Sequence, residues 1–599
     1  MSVGTQEPGD GEAGEYMSTA QRKLISLNDQ AVAEALELQV REPGSRHAGG
    51  IRNRMTGIPN PSHGGTASYM AAMGAALVLP ESQYFHDEQV IAALEQAADY
   101  MLRKQHEDGT ISLGTTNFHS PPDTGFVVTG LVQLYRLLAG AGDERVQEIA
   151  DKLKLFLERT IPAMLTGGCH TPNHRWVMTA ALGSLYDLFG MEELVRRADE
   201  WLAEGMDCTL DGEWTERSNG IYNTVSDIML FYTATYLKRP HLLDYVRRNL
   251  KMMQYLLHGN GEVVTDYSGR QDYGVVHDLS EYYLVLSVMA SLDRDPLLAA
   301  MYDLALEKLS RLGPVNNHAL LGSLIFPAQL DDLPRQPLPD EYTVILNEHH
   351  PVERGLERMK QVGHHSQIEH SSMHTSFGSP VVRIRKAMTS ATVMTRNPSF
   401  FSLHHGDVKL LGVQIGSMFM PGVVEMQTLG KTPEGYEMNA LLEKGYNGPI
   451  PAQYLGQFGA EEVSPWYLLP HQHRPRTHVQ QHRIVVKIRQ QDARWEIEIA
   501  TDELEDVLTQ ISFFFPLDCS ISGEGLVAGE GNAKLWTSGS ILCTADEDWM
   551  RISSGQQDHL LWELRHAETP RGVQTLKVNL LTPFVKTFSV TRGRGVSHV

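Results

Sequence analysis

The first half of the chain carries apolar residues at helical spacing. Leu24, Leu27, Ala31 and Ala35 recur every three or four positions, as on one face of a helix. Similar patterns predict helices at 66–79, 87–105, 124–141 and 143–160. A cycle of long loop, helix, short loop and helix then recurs at 161–205, 206–256, 257–291 and 295–312. A repeat of about forty to fifty residues is the pattern of stacked helical hairpins.

The pattern changes after Pro314. Residues 314–345 hold five prolines and are predicted to be a linker. From about 380 the apolar positions alternate, as in Ile484, Val486 and Ile488, which is typical of half-buried strands. We therefore predict an α+β multidomain chain. It has a disordered tail at 1–16, an (α/α) toroid or incomplete barrel of helical hairpins at 17–345, and an antiparallel β-sandwich at 346–599.

Charge and composition narrow the range of partners. The formal net charge is −22, which argues against a nucleic-acid partner, because such a partner requires a basic face. The same charge does not favour an acidic glycan unless arginines and histidines converge locally. No apolar run is long enough to cross a membrane, and no secretory signal is visible. The expected location is therefore cytoplasmic, or periplasmic or secreted if a signal was removed.

The stretch 170–223 carries the candidate chemistry. It opens with Asn173 and His174 and closes with Glu216, Arg217 and Tyr222, each cluster just before a predicted helix. In a ring of helical hairpins alternate loops gather at one end, and function concentrates on such loops. We expect an amide, an imidazole, a guanidinium and a phenol to meet there in one cleft. The alternative is that Asn173 only caps a helix and His174 is an exposed first-turn residue.

This arrangement resembles the polysaccharide lyases of the heparinase II/III-like and alginate lyase type. In that group an Asn-His pair at a helix start is followed, one hairpin later, by a Tyr in a Gly-rich loop containing Arg or Glu. Here Tyr222 follows His174 by 48 residues (222 − 174). The segments 108–110, 120–126 and 404–407 extend the likeness. The resemblance implies β-elimination on a poly- or oligosaccharide that contains uronic acid.

Elimination assigns a role to each candidate. Neutralising the uronate carboxylate makes the C5 proton removable, a base takes that proton, and an acid protonates the leaving oxygen. The resemblance implies that Asn173 neutralises the carboxylate, with Arg217 as a second clamp, whereas His174 is the base and Tyr222 the acid. Tyr222 could also make both proton transfers. Without a visible secretion signal, an exo-acting enzyme on imported oligosaccharides is favoured.

Other long loops at the same end supply candidates for substrate binding. Their side chains can bond sugar hydroxyls or carboxylates, or stack on a sugar ring. They are Asn117, His119, Asp123, Trp214, Glu216, Arg270 and Tyr273. The expected partner is an acidic saccharide, no cofactor is expected, and a homo-oligomer is left open.

Two other functions stay open. A glycoside hydrolase of the glucuronidase type could use the same scaffold, because a fold does not decide the chemistry. It would need paired carboxylates, and Asp123, Glu216, Asp266 and Asp272 are available. The third candidate is a non-catalytic glycan-binding protein.

Histidines in the second half raise the question of a metal. The resemblance implies a structural metal in the β-domain, held by two His and one Asp, as an option. His404, His405 and Asp407 do not show that spacing and suggest no further ligand. We therefore expect no metal ligands. The His-rich segment 364–374 could instead line the cleft.

Overall fold

The computed structural model describes most of the chain. The described residues are 17–362, 374–456, 463–464, 466–491, 494–529, 531–567 and 570–595. The tail predicted at 1–16 and the His-rich segment, apart from His374, lie outside them.

Up to residue 325 the described chain is built from helices. They are α1 (Thr19–Leu38), α2 (Thr66–Val78), α3 (Glu88–Lys104), α4 (Pro121–Ala139), α5 (Glu144–Thr166), α6 (Pro172–Phe189), α7 (Glu192–Leu202), α8 (Tyr222–Tyr236), α9 (Leu243–Met253), α10 (Tyr283–Asp293), α11 (Pro296–Lys308) and α12 (Ala319–Ile325). A further helix, α13 (Val352–Val362), follows the first strand.

The helices form an inner and an outer ring. Helices α2, α4, α6, α8 and α10 pack side by side, and each is paired with the helix that follows it in the chain. The inner helix α4 buries 14 of its 19 residues, whereas the outer helix α7 buries only Leu194 and Ala198. A helix covered on all sides is apolar all round, and one at the surface needs only an apolar stripe. The sequence pattern of hairpins therefore corresponds to a toroid.

Helix α12 corrects the predicted linker. It packs against α1, α2, α4 and α10 and closes the inner ring. Just before it, the 3-10 turn Val315–Asn317 passes very close to α4. A Cβ on Gly130 would lie 2.4 Å from the Val315 carbonyl oxygen. The sequence pattern missed α12 because its seven residues make only about two turns.

Strands make up the second domain. They are β1 (Glu341–Leu346), β2 (Val381–Lys386), β3 (Thr389–Met394), β4 (Phe401–His405), β5 (Val408–Ser417), β6 (Gly422–Val423), β7 (Thr428–Thr432), β8 (Gly435–Asn447), β9 (Arg476–Gln491), β10 (Arg494–Thr501), β11 (Leu508–Pro516), β12 (Ser520–Gly523), β13 (Leu526–Ala528), β14 (Ala533–Trp536), β15 (Ser540–Ala545), β16 (Asp548–Ser553), β17 (Val573–Leu581) and β18 (Val585–Arg594).

The strands form two packed sheets. One has the order β1-β2-β3-β4-β5-β11-β17-β14-β13, with β6 beside β5, and the other has the order β12-β15-β16-β18-β10-β9-β8-β7. Pairing between the named strands is antiparallel except for β14 with β17. The only helical pieces in the described parts of 380–590 are 3-10 turns of three residues. The prediction of a toroid followed by a β-sandwich is confirmed.

The first sheet packs directly on the toroid. All six residues of β3 are buried, including polar ones, because both of its faces are covered. Thr392 of β3 and Ser402 of β4 donate to the toroid residue Asp266 at 2.7 and 2.6 Å. The domain boundary predicted near 345 stays a prediction; the flanking elements are α12 and β1. In the described residues, no helix is both long and apolar enough to cross a membrane.

Candidate active site

The long loops before the inner helices enclose a cavity of about 800 Å³. This volume is in the range of small-molecule sites. The described residues that line it are His63, Leu113, Thr116, Asn117, Asp123, Phe126, His170, Thr171, His174, Gly220, Ile221, Tyr222, Thr224, Val225, Ile228, Arg270, Gln271, His277, Glu281, Pro314, Asn316 and Asn317. All of them belong to the toroid. The described residues of the sandwich contribute none of this wall.

Asn173 begins helix α6 beside a buried carboxylate. Its backbone N–H donates to Glu216 Oε1 at 3.2 Å, and its side-chain Nδ2 donates to Oε1 and Oε2 at 2.8 and 3.0 Å. The positive end of the helix dipole also favours a carboxylate at this place. The amide of Asn173 is therefore held by Glu216, and neither residue is among those that line the cavity.

Glu216 also holds Arg270, which does line the cavity. Arg270 Nη1 donates to Glu216 Oε2 at 2.6 Å, and the guanidinium carbon lies 4.1 Å from the centre of the Tyr222 ring. Burial raises the pKa of Glu216, although Arg270 and Asn173 act in the opposite direction. One buried carboxylate thus positions a cation above a phenol.

Tyr222 lies in the first turn of α8. Its backbone N–H donates to Ser218 Oγ at 3.0 Å, and the N–H of Gly220 donates to Asp272 Oδ2 at 2.9 Å. A Cβ on Gly220 would lie 2.7 Å from the His277 ring, so this close approach favours glycine. Burial raises the pKa of Tyr222, although Arg270 acts to lower it. The phenol is therefore protonated at neutral pH.

His174 is buried, not an exposed first-turn residue. It is 8% exposed, and burial lowers its pKa to about 3. Its ring meets those of His170 and Phe126 edge-on, with centroids 4.9 and 6.1 Å away. The imidazole is neutral at neutral pH and has a lone pair that can accept a proton.

Asn117 and Asp123 line another part of the cavity, as predicted. Asn117 Nδ2 donates to Asp123 Oδ2 at 2.9 Å, and Ser120 Oγ donates to the same oxygen at 2.6 Å. The Ser120 hydroxyl also accepts from the Asp123 N–H at 3.2 Å and so caps α4. Asp123 therefore both holds this loop against its helix and faces the site.

Arg217 does not face the cavity. It is 1% exposed, and its Nε lies 3.4 Å from Glu213 Oε1, with its guanidinium carbon 4.8 Å from the Tyr267 ring centre. Its backbone has a φ of 50°, an unusual conformation for a bulky residue. Arg270 occupies the place at Tyr222 that the spacing had suggested for Arg217.

Three predicted binding residues also lie outside the cavity. Trp214 is a core residue whose Nε1 donates to Asp227 at 3.0 Å. His119 is exposed and pairs with Asp108 at 2.9 Å. The Tyr273 hydroxyl lies 3.3 Å from Ser399 Oγ, at the junction with the sandwich. Each has a partner from another segment, which local sequence does not reveal. Asn117, His119, Arg217 and Tyr273 were predicted to line one cavity with Asn173. Of these five residues, Asn117 lines the cavity and the other four do not.

Two of the four acidic residues considered for hydrolysis have structural roles in the fold. Asp266 accepts from two sandwich hydroxyls, and Asp272 is fully buried between Ser218 and the Gly220 N–H. Among the four acids, only Asp123 lines the cavity.

The sequence pattern missed several cavity residues. His63 lies in the Gly- and Pro-rich loop before α2 and stacks on Phe126 with ring centres 4.6 Å apart. Glu281 faces the cavity, and enclosure by the surrounding protein raises its pKa. For His63 and Glu281, the only indication in the sequence was a position shortly before an inner helix.

The fold is similar to those of several solved polysaccharide lyases. Xanthan lyase from Paenibacillus is 9% identical and matches over 98% of this chain and 58% of its own length, with a TM-score of 0.52. Chondroitin AC lyase from Streptomyces coelicolor A3, solved with chondroitin sulphate, is 14% identical. The match covers 98% of this chain and 81% of the chondroitin AC lyase chain, with a TM-score of 0.44. A mutant of heparan sulfate lyase HepC from Pedobacter heparinus is 10% identical. The match covers 99% of this chain and 86% of the HepC chain, with a TM-score of 0.45.

Other comparisons give no match. No family model matches the chain, and no curated protein sequence does. The chain spans less than two thirds of the length of xanthan lyase. At such low identity the likeness concerns the fold alone. The chain thus has the toroid-plus-sandwich fold of the Paenibacillus xanthan lyase.

Proposed function

We propose that the chain is a polysaccharide lyase that cleaves a glycan containing uronic acid by β-elimination. The observation that carries this proposal is the grouping of Arg270, Tyr222 and His174 on one cavity, with Arg270 stacked over the Tyr222 ring at 4.1 Å. A fixed cation, a protonated phenol and a neutral imidazole are the groups that elimination requires. The similar fold of a xanthan lyase supports the same reading.

Arg270 is the group that neutralises the substrate carboxylate. A guanidinium can bond a carboxylate through two parallel N–H groups, and it withdraws charge as the enolate-like intermediate forms. Asn173 and Glu216 act as positioning residues, because Glu216 bonds to both Asn173 and Arg270. The clamp role expected of Arg217 passes to Arg270.

His174 is the base and Tyr222 the acid. A pKa of about 3 makes free His174 a weak base, but a bound uronate raises it, because a nearby negative charge favours the imidazolium. Tyr222 holds its proton at neutral pH and can give it to the leaving oxygen. The C5–H bond breaks toward His174, its electron pair forms the C4–C5 double bond, and the C4–O bond breaks.

An exo-acting mode is supported by the shape of the site. The N–H of Val315 donates to the His63 carbonyl at 2.9 Å, which joins the first loop around the cavity to the last turn. A cavity whose first and last loops are joined in this way accommodates a chain end better than the middle of a polymer. We therefore propose that the substrate enters by its end.

A hydrolase is the second candidate, because two carboxyl groups line the cavity. Enclosure raises the pKa of Glu281, as for a general acid, and Asp123 is a second carboxyl. Hydrolysis would use these two residues in place of His174 and Tyr222.

The products distinguish the two reactions. The protein is incubated with a panel of uronic-acid glycans while ultraviolet absorbance and new reducing ends are followed together. Elimination gives an unsaturated uronate that absorbs, in step with the reducing ends. Reducing ends without a rise in absorbance would replace the lyase proposal with the hydrolase.

A further inference from the structure

We propose that Asp123 and Glu281 form a subsite that accepts an uncharged sugar beside the uronate and rejects an anionic one, whether a sulfated sugar or a second uronate. Both side chains line the cavity. The inference rests on the proposed elimination, in which Arg270, His174 and Tyr222 carry the chemistry. The two carboxyl groups then have no catalytic role, and they decide which glycan the lyase takes.

Asp123 presents a fixed acceptor to the cavity. The residue is 3% exposed, and its Oδ2 accepts from Asn117 Nδ2 at 2.9 Å and from Ser120 Oγ at 2.6 Å. Two donors at one oxygen hold the side chain in one orientation and favour its ionised form. Within the described chain, no donor bonds to the other oxygen, Oδ1. A sugar hydroxyl can donate to Oδ1, whereas a sulfate or carboxylate has no proton to give.

Glu281 adds a second carboxyl to the cavity wall. It lies in the 3-10 turn Leu279–Tyr282 just before α10, and its backbone carbonyl accepts from Asn317 Nδ2 at 2.9 Å. Burial raises the pKa of Glu281, although His277 acts to lower it. An anionic sugar beside this group would meet a like charge or would require the carboxyl to be protonated, and both cost free energy at neutral pH.

The positive charge of the cavity wall is concentrated at one place. Among the described residues that line the cavity, Arg270 is the one with a permanent positive charge, and the proposed reaction uses it for the uronate. Burial lowers the pKa of His63 and of His174, so these imidazoles are neutral at pH 7. A second anionic group therefore meets Asp123 or Glu281 without a fixed cation to offset them. Like charges brought together in a cavity repel strongly.

The test compares matched glycans. Unsulfated chondroitin and heparosan, in which uronate alternates with an uncharged sugar, are each assayed beside the same polymer after chemical O-sulfation. Alginate serves as a polymer of uronates alone, and the absorbance of the unsaturated uronate gives the rate. We expect kcat/KM to be at least about tenfold higher for an unsulfated alternating glycan than for its sulfated form or for alginate, because one like-charge contact costs at least that factor.

The outcomes separate this inference from the proposed function. Equal or faster cleavage of a sulfated form or of alginate overturns the inference and leaves the lyase proposal standing. No rise in absorbance with any glycan overturns the lyase proposal, and calorimetry with the same glycans then tests the subsite alone. In that measurement, binding of an anionic form as tight as that of its unsulfated counterpart, or no binding of any glycan, overturns the inference.

Asp123→Asn distinguishes charge from size. Asparagine has the same shape, and its oxygen can still accept from Asn117 and Ser120, while its amide nitrogen turns to the cavity and can donate to a sulfate. We expect the preference for the unsulfated glycan to fall by about tenfold or more, the value of one hydrogen bond to a charged group. A folded Asp123→Asn variant that is inactive on every glycan would place Asp123 in the chemistry and overturn the inference.

A second variant and a matched control complete the test. Glu281→Gln removes the other charge without changing the volume, and it should reduce the preference in the same direction. Glu262→Gln is the control, because Glu262 pairs with Lys409 at 2.7 Å and does not line the cavity; it should keep the preference. An unchanged preference in the folded variants of both Asp123 and Glu281 would mean that size excludes the sulfate, and it would overturn the inference.

Discussion

At the scale of single residues, the direction of a side chain decides its role. Arg217 and Arg270 both lie in loops of the correct end of the toroid, yet only Arg270 lines the cavity. Arg217 is committed to Glu213 and Tyr267, whereas Arg270 is held over Tyr222 by Glu216. The partners of each arginine, not its distance from Tyr222 along the chain, determine where its charge acts.

Tyr222→Phe tests the proposed acid. The change removes one hydroxyl, and loss of a general acid or base typically costs about 10²–10⁴-fold in rate. We expect a loss of that order in kcat with the Tm nearly unchanged. The control is Tyr267→Phe, because Tyr267 is a buried tyrosine outside the cavity and should retain activity. Full activity in Tyr222→Phe, together with an inactive Glu281→Gln, would favour the hydrolase.

Arg270→Lys tests the proposed clamp. Lysine keeps the charge but cannot form paired bonds to a carboxylate, so kcat/KM should fall by about ten- to a hundredfold, the value of one or two charge-assisted hydrogen bonds. Arg217→Lys provides the comparison. It should lower the Tm, because Arg217 is buried beside Glu213, but leave kcat/KM of the folded enzyme unchanged. A loss of kcat/KM in Arg217→Lys, with kcat/KM unchanged in Arg270→Lys, would contradict the role of Arg270.

At the scale of elements, a short helix closes the toroid. Helix α12 contacts both α2 and α10, and its N-terminus is capped by His318, whose Nδ1 accepts from the Leu321 N–H at 3.2 Å. Burial lowers the pKa of His318 to about 3. The cap works only while this imidazole is neutral.

His318 should make the fold sensitive to acid. Its pKa is about 3 in the folded protein and near 6.5 when unfolded, so between these values the unfolded state binds the extra proton. The stabilising effect is complete above pH 6.5 and is lost as the pH falls toward 3, by about 1.4 kcal/mol of unfolding free energy per pH unit. His318→Asn keeps a capping acceptor without titrating. Urea unfolding between pH 7 and 5 should show a smaller decline for this variant, and equal declines would contradict the prediction.

At the scale of the whole molecule, the net charge of −22 is a sum over the whole chain and does not describe the charge at the cavity. The cavity is lined by Arg270, by the histidines His63, His170, His174 and His277, and by the carboxyl residues Asp123 and Glu281. Burial lowers the pKa of His63 and of His174, so these two imidazoles are neutral at pH 7 and Arg270 supplies the fixed positive charge. Electrostatic recognition depends on the local field in a cleft more than on the total charge. The net charge of the whole chain therefore does not contradict the proposed acidic substrate, because Arg270 places a fixed cation at the cavity wall.

The proposed exo-acting mode predicts the course of degradation. An enzyme that admits only chain ends should release its smallest product from the first minutes and leave long chains largely intact. Size-exclusion chromatography of a timed digest would show this as a shrinking polymer peak and a single small-product peak. Early oligosaccharides of intermediate length would indicate cleavage within the chain.

The sequence by itself determined the architecture and pointed to two of the residues that line the site. Hairpin repeats and strand alternation are local periodicities, so they predicted the toroid and the sandwich. Polar clusters before predicted helices located His174 and Tyr222 on one side of the ring. These predictions agree with the structure because they depend on residues that are only a few positions apart in the chain.

Only the tertiary structure decided which groups face one another. Glu216 bonds to Asn173, 43 residues away, and to Arg270, 54 residues away, and no local pattern records such pairs. His404 meets His258 and Asp266 only because β4 packs on the α9–α10 loop. The physical reason is the same in both cases: burial and side-chain direction are set by contacts between distant segments, whereas periodicity reports only which face of each segment is apolar.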